Sequence, residues 1–506
     1  MDATPLDTLE ARGLIRLATI QPELEYLFRH WLVQEAAYGS LLKQERRQLH
    51  RLVGDALEEL YPDRRDELAA VLALHYEQAG ENERAVEYLV IAGGQALARN
   101  ALTEAYSAYD RALTLLPAPT ETDPPDLLRR RLEVGLGRAH AGYSMLPITA
   151  LVDALASLVP GAEQLGDPRL LARLHVDLAL ARSHAGESVQ TPAVQHSLAR
   201  AEELGGELGD PSLRAIPLAI IGIQQVFNGP VLDGVAALEE AVPLLELGPD
   251  SVTTAFARGT LAIGLARLGR FAEADRAARY AVELAERGDL IAQLDAQIAA
   301  SVVASERGDL AGAVPIAEAC VLRAEETGAT ACAVVSTWIL GDVYQRMDRL
   351  VDASRTLGRG TELANVVDRM VWRPTLQAWL SSTAAALGEP AEPDAWEEIL
   401  ATARSIGNRF GEAGILHMRG AAAMRDGDTT AAIDDLAAAA AIREELGTRP
   451  SLARVLVPLG LALRSAGREA EAETHLRRAA QLFTELGISA EADLALAHVG
   501  KAAGRS

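Results

Sequence analysis

The sequence predicts an all-α fold, a solenoid of stacked helical hairpins, and three observations carry that prediction. Helix-ending residues recur along the 506-residue chain at Gly166, Gly209, Gly248, Gly288, Gly328, Asp368, Gly407, Gly447 and Gly487, at intervals of 43, 39, 40, 40, 40, 39, 40 and 40. A second series, Gly229, Gly269, Gly308, Asp348, Gly388, Gly427 and Gly467, bisects the first at intervals of 40, 39, 40, 40, 39 and 40. Ala, Leu, Glu and Arg dominate while aromatics make up only 4%, a composition suited to closely packed helices rather than to sheets of bulky or branched residues.

Each element follows from these marks. Most of the first series closes a phrase such as AEQLG, AEETG or REELG. A glycine just past a helix takes the left-handed conformation at little cost and lets the last carbonyls be capped, so each closes a unit. A unit of about 40 residues then holds two helices of about 16 residues, each roughly 24 Å long.

In the second helices small residues recur: Gly234, Ala274, Ala313, Ala353, Ala432 and Ala472, and seven residues on Ala241, Ala281, Cys320, Gly360, Ala439 and Ala479. Seven residues is about two turns, so both sets share one face and permit close helix approach. Leu238, Ala278, Ala317, Leu357, Leu436 and Leu476 lie between them and fill the seam. First helices carry matching apolar positions, as in LAIGLARLG and PLGLALRSAG.

Leu340, Gly341 and Tyr344 with Ala353, and Ala105, Tyr109, Ala112 and Pro117 in EAYSAYDRALTLLP, resemble the tetratricopeptide-repeat (TPR) pattern. The period near 40 is similar to the extended repeats of large bacterial signalling ATPases, and repeat-like sequence covers about 440 of the 506 residues. The resemblance implies a TPR-like α-solenoid, a right-handed superhelix of helical hairpins. The unit holding Trp372 to Trp396 fits least well, because GEPAEPDAW places prolines where its second helix should begin.

The first residues read differently. RGLIRLATIQPELEYLFRH has two short apolar runs around Pro22, predicting a β-hairpin from about Leu14 to Arg29. One helix is then expected from His30 to a stop at Pro62, with Leu32, Ala36, Leu41, Leu49, Leu52, Val53 and Leu57 on its apolar face. Phe28, His30, Gln34, Glu35, Tyr38, Leu41, Leu42, Leu49 and His50, followed by HYEQAGENERAVEYLVIAG, are similar to the junction between a winged helix and repeats in one bacterial signalling family. That family joins a class III adenylate or guanylate cyclase, a STAND-type AAA ATPase and TPR repeats. The resemblance covers residues 9 to 117. It implies a partial winged-helix remnant, a small β-hairpin and linking helices, over residues 1–60, first TPR-like units over 61–120, and a solenoid of about nine hairpins over 121–506. LDTLEARGLI would be the end of the winged helix's second long helix.

Composition excludes several functions. A net charge of −23 argues against nucleic acid as a partner, since phosphate binding needs a basic surface. The only lysines, Lys43 and Lys501, stand in no phosphate loop or kinase arrangement, and no stretch has the paired aspartates of a cyclase core. His175, His184 and His196, the densest histidine group, lack the spacing of a zinc set, and Cys320 and Cys332 read as packing residues. No apolar run approaches the roughly 20 residues of a membrane span, and the start lacks the apolar core of a signal peptide. The expectation is a cytoplasmic, non-catalytic chain without cofactor or metal.

Binding is therefore sought on the concave face, which first helices line in such arrays. Arg267, Arg346, Arg425 and Arg464 precede the interhelical turns. Two readings stand: they receive carboxylates or phosphate through forked hydrogen bonds, or they neutralise helix C-termini and stay solvated. Trp338, Trp372, Trp379 and Trp396 cluster within 59 residues, either as an aromatic anchor for a peptide or as filling for an irregular unit. The expected partner is a protein or peptide, with an ATPase or cyclase module as the candidate implied by the resemblance. The leading function is an interaction scaffold. The alternative is a ligand- or peptide-sensing regulatory region acting on such a module, or as part of a transcriptional regulator, in cis or in trans.

Overall fold

The computed structural model describes residues 5–19, 25–120, 122–248, 251–286, 290–367, 372–389 and 393–500. Among them are 25 α-helices and one two-stranded sheet, an all-α TPR-like solenoid. Gly288, Asp368, Pro22 and Lys501, used above, lie outside the described residues. The chain divides into two compact units, Met1–Gln95 with Ser107–Thr120, and Ala96–Tyr106 with Glu121–Ser506.

The first unit begins with α1 (Pro5–Ala11), β1 (Ile15–Thr19) and β2 (Glu25–Phe28), the strands pairing antiparallel with Ile15 opposite Phe28. The single helix expected next is two, α2 (Trp31–Ser40) and α3 (Lys43–Leu60). Gly39 and Ser40 are weak helix formers, Ser40 Oγ donates to the Ala37 carbonyl at 2.7 Å, and Leu41 and Leu42 turn extended. Glu45 then accepts from the Leu42 N–H at 2.8 Å and starts α3. The expected apolar face stays open within this unit, with Leu52 63% and Leu32 60% exposed. Helices α4 (Ala69–Ala79), α5 (Asn82–Ala98) and α6 (Leu102–Leu115) follow. Tyr76, fully buried, packs where Gly54 leaves room, since a Cβ there would lie 2.8 Å from its ring.

In the second unit the helices pair two by two: α7 (Pro125–Gly142) with α8 (Ile148–Leu165), α9 (Pro168–His184) with α10 (Pro192–Glu207), and α11 (Pro211–Asn228) with α12 (Val231–Leu245). The series continues with α13 (Ser251–Arg267) and α14 (Phe271–Ala285), α15 (Leu290–Glu306) and α16 (Leu310–Thr327), and α17 (Thr330–Arg346) and α18 (Leu350–Val367). It ends with α19 (Arg373–Ala386) and α20 (Pro393–Ser405), α21 (Arg409–Asp426) and α22 (Thr429–Glu445), α23 (Arg449–Ser465) and α24 (Glu469–Glu485), and α25 (Ser489–Gly500). In the irregular unit α20 forms with Pro393 as its first residue, a position where proline's missing N–H costs nothing.

The glycine marks act as stops. Gly166, Gly209, Gly269, Gly308, Gly328, Gly388, Gly407, Gly427, Gly447, Gly467 and Gly487 all have positive φ, and Asp348 takes the same conformation at φ 59°. Beyond several of them the next N–H reaches back to a carbonyl five residues earlier, as from Asp309 to Ala304 and Ile488 to Phe483, both 2.9 Å. Gly229, at φ −132°, and Gly248 depart from the series, since neither takes the left-handed conformation.

The seam is buried throughout, and its large and small residues are matched. A Cβ on Gly222, Gly341, Gly420 or Gly460 would lie 2.8, 2.5, 2.8 or 2.6 Å from Cγ of Leu238, Leu357, Leu436 or Leu476, always the residue sixteen positions on. The corresponding pairs elsewhere are Ala262 with Ala278 and Ser301 with Ala317, all buried. Leucine occurs where its partner has no side chain. Alanine occurs where it has a small one.

The stack coils back on itself. Helix α11 packs on α21, and α13 on α23, five hairpins on. The Ala331 N–H donates to the Ser144 carbonyl at 2.9 Å, and Arg454 bonds Glu306 across 148 residues. First helices therefore enclose an interior rather than line an open groove.

Candidate functional site, an interior chamber and a buried ion cluster

The interior differs along its length. Between α7, α9, α11, α13, α15 and α17 lies a cavity of about 560 Å³, within the range that holds a drug-sized ligand. Ile220, Ile223, Ile263 and Ile298 project from three of these helices, and Phe227 and Trp372 also line it. Their rings meet edge to face with centroids 5.5 Å apart. Most of its walls come from first helices or the turns after them, the exceptions being Leu97, Leu151 and Leu155 of α8, and Trp372.

The polar side chains around it are of two kinds. Some are tied into the protein: Gln224 accepts from the Val189 N–H and donates to the Glu187 carbonyl, both at 2.8 Å, Arg173 pairs with Asp177 at 3.0 Å, and the Tyr143 hydroxyl meets His184 Nδ1. Others are not. Ser183 Oγ, Thr260 Oγ1 and Asn228 Oδ1 are buried and have no hydrogen-bond partner among the described residues. A helical hydroxyl ordinarily closes on a carbonyl one turn back, as Ser336 does on Cys332 and Thr383 on Trp379. Ser183 and Thr260 line the cavity without such a bond, and buried polar atoms of this kind are normally satisfied.

Toward α21 and α23 the interior is filled by charged and aromatic side chains. Arg454 bonds Glu306 at 2.6 Å and Glu491 at 2.9 Å, and donates to the Glu306 carbonyl at 2.8 Å. Arg346 reaches Glu491 at 3.3 Å. Burial opposes ionisation of Glu491, but Arg454 and Arg346 overcome it and hold its carboxyl below the usual range. Arg267 and Arg443 lie over the Phe410 ring, 3.7 and 4.0 Å from its centroid. Burial pulls their guanidiniums down to about 9 and about 10.

His417, on α21, is lowered to about 4 by burial and then by Arg443 and Arg454. The unfolded imidazole, near 6.5, binds a proton that the folded one refuses, so this group's contribution is complete above about pH 6.5 and falls as the pH drops toward 4. About 2–3 kcal/mol of pH-dependent stability is expected from it. Urea unfolding of His417→Gln between pH 4 and 7 should show a correspondingly flatter profile.

The structure places the four proposed arginines in one recurring role. Arg267 donates to the Val226 carbonyl, Arg346 to Ser305, Arg425 to Ser382 and Arg464 to His498. Each acceptor lies in the last turn of another first helix. Such a contact sets a cation against the negative end of a helix, and Arg267 is only 2% exposed. Trp338, Trp372 and Trp379 come together, with Trp338 at 5.6 Å from Trp372 and 5.9 Å from Trp379, and Trp379 Nε1 donates to Asp342 at 2.8 Å. Trp396, in α20, is buried in the same core cluster as Trp379.

Sequence reasoning did not single out Ile223, Thr260, Phe410, Arg443 or Arg454. A charge inside an apolar run, as in ARVLVPLG and GILHMRG, was the available signal for Arg454 and His417. Arg443 in AAIREELG looks like any solvated helix residue.

Paired helices with left-handed caps, matched seams and an enclosed interior define a TPR-type repeat region, and residues 411–485, from α21 to α24, match the tetratricopeptide repeat family. An uncharacterized protein of Rhizobium meliloti (strain 1021) is 31% identical over 135 residues, 27% of this chain. The match spans 13% of that relative's length. Among solved structures the chain is similar to the APC/C hetero-tetramer Cut9–Hcn1, at 14% identity and a TM-score of 0.48, over 92% of this chain and 91% of that one. It is similar to a Rap protein complexed with competence and sporulation factor, at 10% identity and 0.44, over 79% and 98%. Aspartyl phosphate phosphatase F from Bacillus subtilis follows at 12% identity and 0.37, over 79% and 94%. No described helix is long and apolar enough to cross a membrane.

Proposed function

We propose that this chain is a non-catalytic TPR-type binding module of bacterial signalling, and that the chamber between α7 and α17 receives a short, largely apolar peptide segment of a partner. The observation that carries this reading is the chamber itself: apolar walls, space for a ligand, and three buried polar atoms with no hydrogen-bond partner among the described residues. Isoleucines and the Phe227–Trp372 wall suit apolar side chains. Ser183, Thr260 and Asn228 suit the amides between them.

The chamber also supports a sensing role. Ser144 and Ala331, whose backbones meet at 2.9 Å, both lie on its rim. A ligand that fits one curvature better than another shifts the solenoid toward it, by as much as its affinity for the two differs. The resemblance of residues 9 to 117 supports an ATPase or cyclase module as the recipient of that shift.

Thermal unfolding in the presence of pooled apolar tetra- to hexapeptides tests the proposal. At least one pool should raise stability saturably, by about 2.7 kcal/mol at a hundredfold excess over Kd. Ile223→Trp, which fills the chamber, should abolish the rise while the helical circular dichroism persists. A flat screen with folded protein, or a response that survives Ile223→Trp, contradicts the assignment.

A further inference from the structure

A second feature of the interior is independent of the chamber. Arg267 and Arg443 are 2% and 4% exposed, and neither forms an ion pair among the described residues. Nε and Nη1 of Arg443 and Nε of Arg267 are buried donors with no acceptor among the described residues. Among the described residues neither of these Arg443 atoms has a hydrogen bond; the guanidinium stacks on Phe410, with its Nη2 beside Gly414. A buried guanidinium in this state is costly, because desolvation is not returned by pairing.

Nearby carboxylates do not supply the missing charge. Glu306 and Glu491 are bonded to Arg454 and Arg346, and Asp342 accepts from Trp379 and lies 3.7 Å from Arg346. The groups that feel one another are thus four guanidiniums, of Arg267, Arg346, Arg443 and Arg454, against three carboxylates, of Glu306, Asp342 and Glu491. His417 faces the same cluster and is neutral near pH 7. Among these groups one positive charge is left over, on guanidiniums buried from bulk water.

We propose that Arg267 and Arg443, stacked on Phe410, form an interior site for a single monovalent anion of the carboxylate class. A monoanion balances the cluster, whereas a dianion would leave it one charge in excess of the opposite sign. Planar guanidinium donors also match the planar oxygens of a carboxylate. The site rests on α13, α21 and α22, so an occupant ties the second hairpins of the coil to the first.

Acetate is the probe. At fixed ionic strength, replacing chloride by acetate should raise the melting temperature of the full chain saturably, and Arg443→Met should lose that rise. The same variant should melt no lower than acetate-free wild type, since it removes an unpaired buried charge. Arg443→Gln, which keeps a neutral donor, should fold even if the methionine variant does not, and should also lose the saturable rise. Ile223→Trp should retain it, so failure of the chamber reading and failure of this one are separable. An equal acetate response in wild type and Arg443→Gln overturns the site, as does no saturable response in wild type. Stronger stabilisation by sulfate than by acetate overturns its assignment to a monoanion.

Discussion

Replacing Arg454 by methionine is expected to lower the stability of the second unit by about 3–5 kcal/mol, the usual result of removing one partner from a buried ion pair. The guanidinium holds Glu306 from α15 and Glu491 from α25, and adds a bond to the Glu306 carbonyl. Without it Glu306 loses its bonded guanidinium, and Glu491 keeps only the contact with Arg346 among the described residues. Protonating them is then the less costly state, so the variant should gain stability relative to wild type as the pH falls. Wild type should do the reverse, because the depressed pKa of Glu491 contributes stability above about pH 4.3 that is lost as the pH falls through its lower folded value. Urea titrations at pH 4 and 7 read both effects. Hydrogen exchange should localise the loss to the end of α15 and the start of α25. A uniform loss over every hairpin would show that the cluster does not act as a link between turns.

The second large effect is expected at the Leu–Gly seam. Gly460→Ala places a Cβ 2.6 Å from Leu476 Cγ and 3.1 Å from the Ala472 carbonyl, so α23 and α24 must separate. Overpacking of this kind costs about 1–3 kcal/mol. Leu476→Ala alone leaves a cavity and costs about 2–5 kcal/mol. The double variant reproduces the Ala262–Ala278 arrangement, so the two losses should not add: a coupling of 1 kcal/mol or more is expected from the double-mutant cycle. Additive losses would mean that the two residues do not share one space.

The same pair shows how far local sequence reaches. Gly460 and Leu476 are separated by sixteen residues, within one unit, and their complementarity repeats at Gly341 and Leu357. Capping is likewise local: Asp348 stands at a glycine's place in the period and adopts the left-handed conformation expected there. Even the break at Leu41 was present in Gly39-Ser40, outweighed in the reading by a spacing of apolar residues whose face turns out to be exposed.

What the sequence determined by itself is the repeat: helix lengths, stops, seams and the all-α class, because each depends on contacts spanning fewer than about 40 residues and is written again in every unit. What only the tertiary structure decided is the interior. Arg454 and Glu306 meet across 148 residues, and Ser144 and Ala331 close the rim of the chamber five hairpins apart. Such contacts depend on the small rotation between successive hairpins, summed over several of them, and no single unit encodes the sum. The recurrent arginines illustrate the difference. Their spacing was visible, but whether they faced solvent, a ligand or a neighbouring helix end depended on how tightly the solenoid coils.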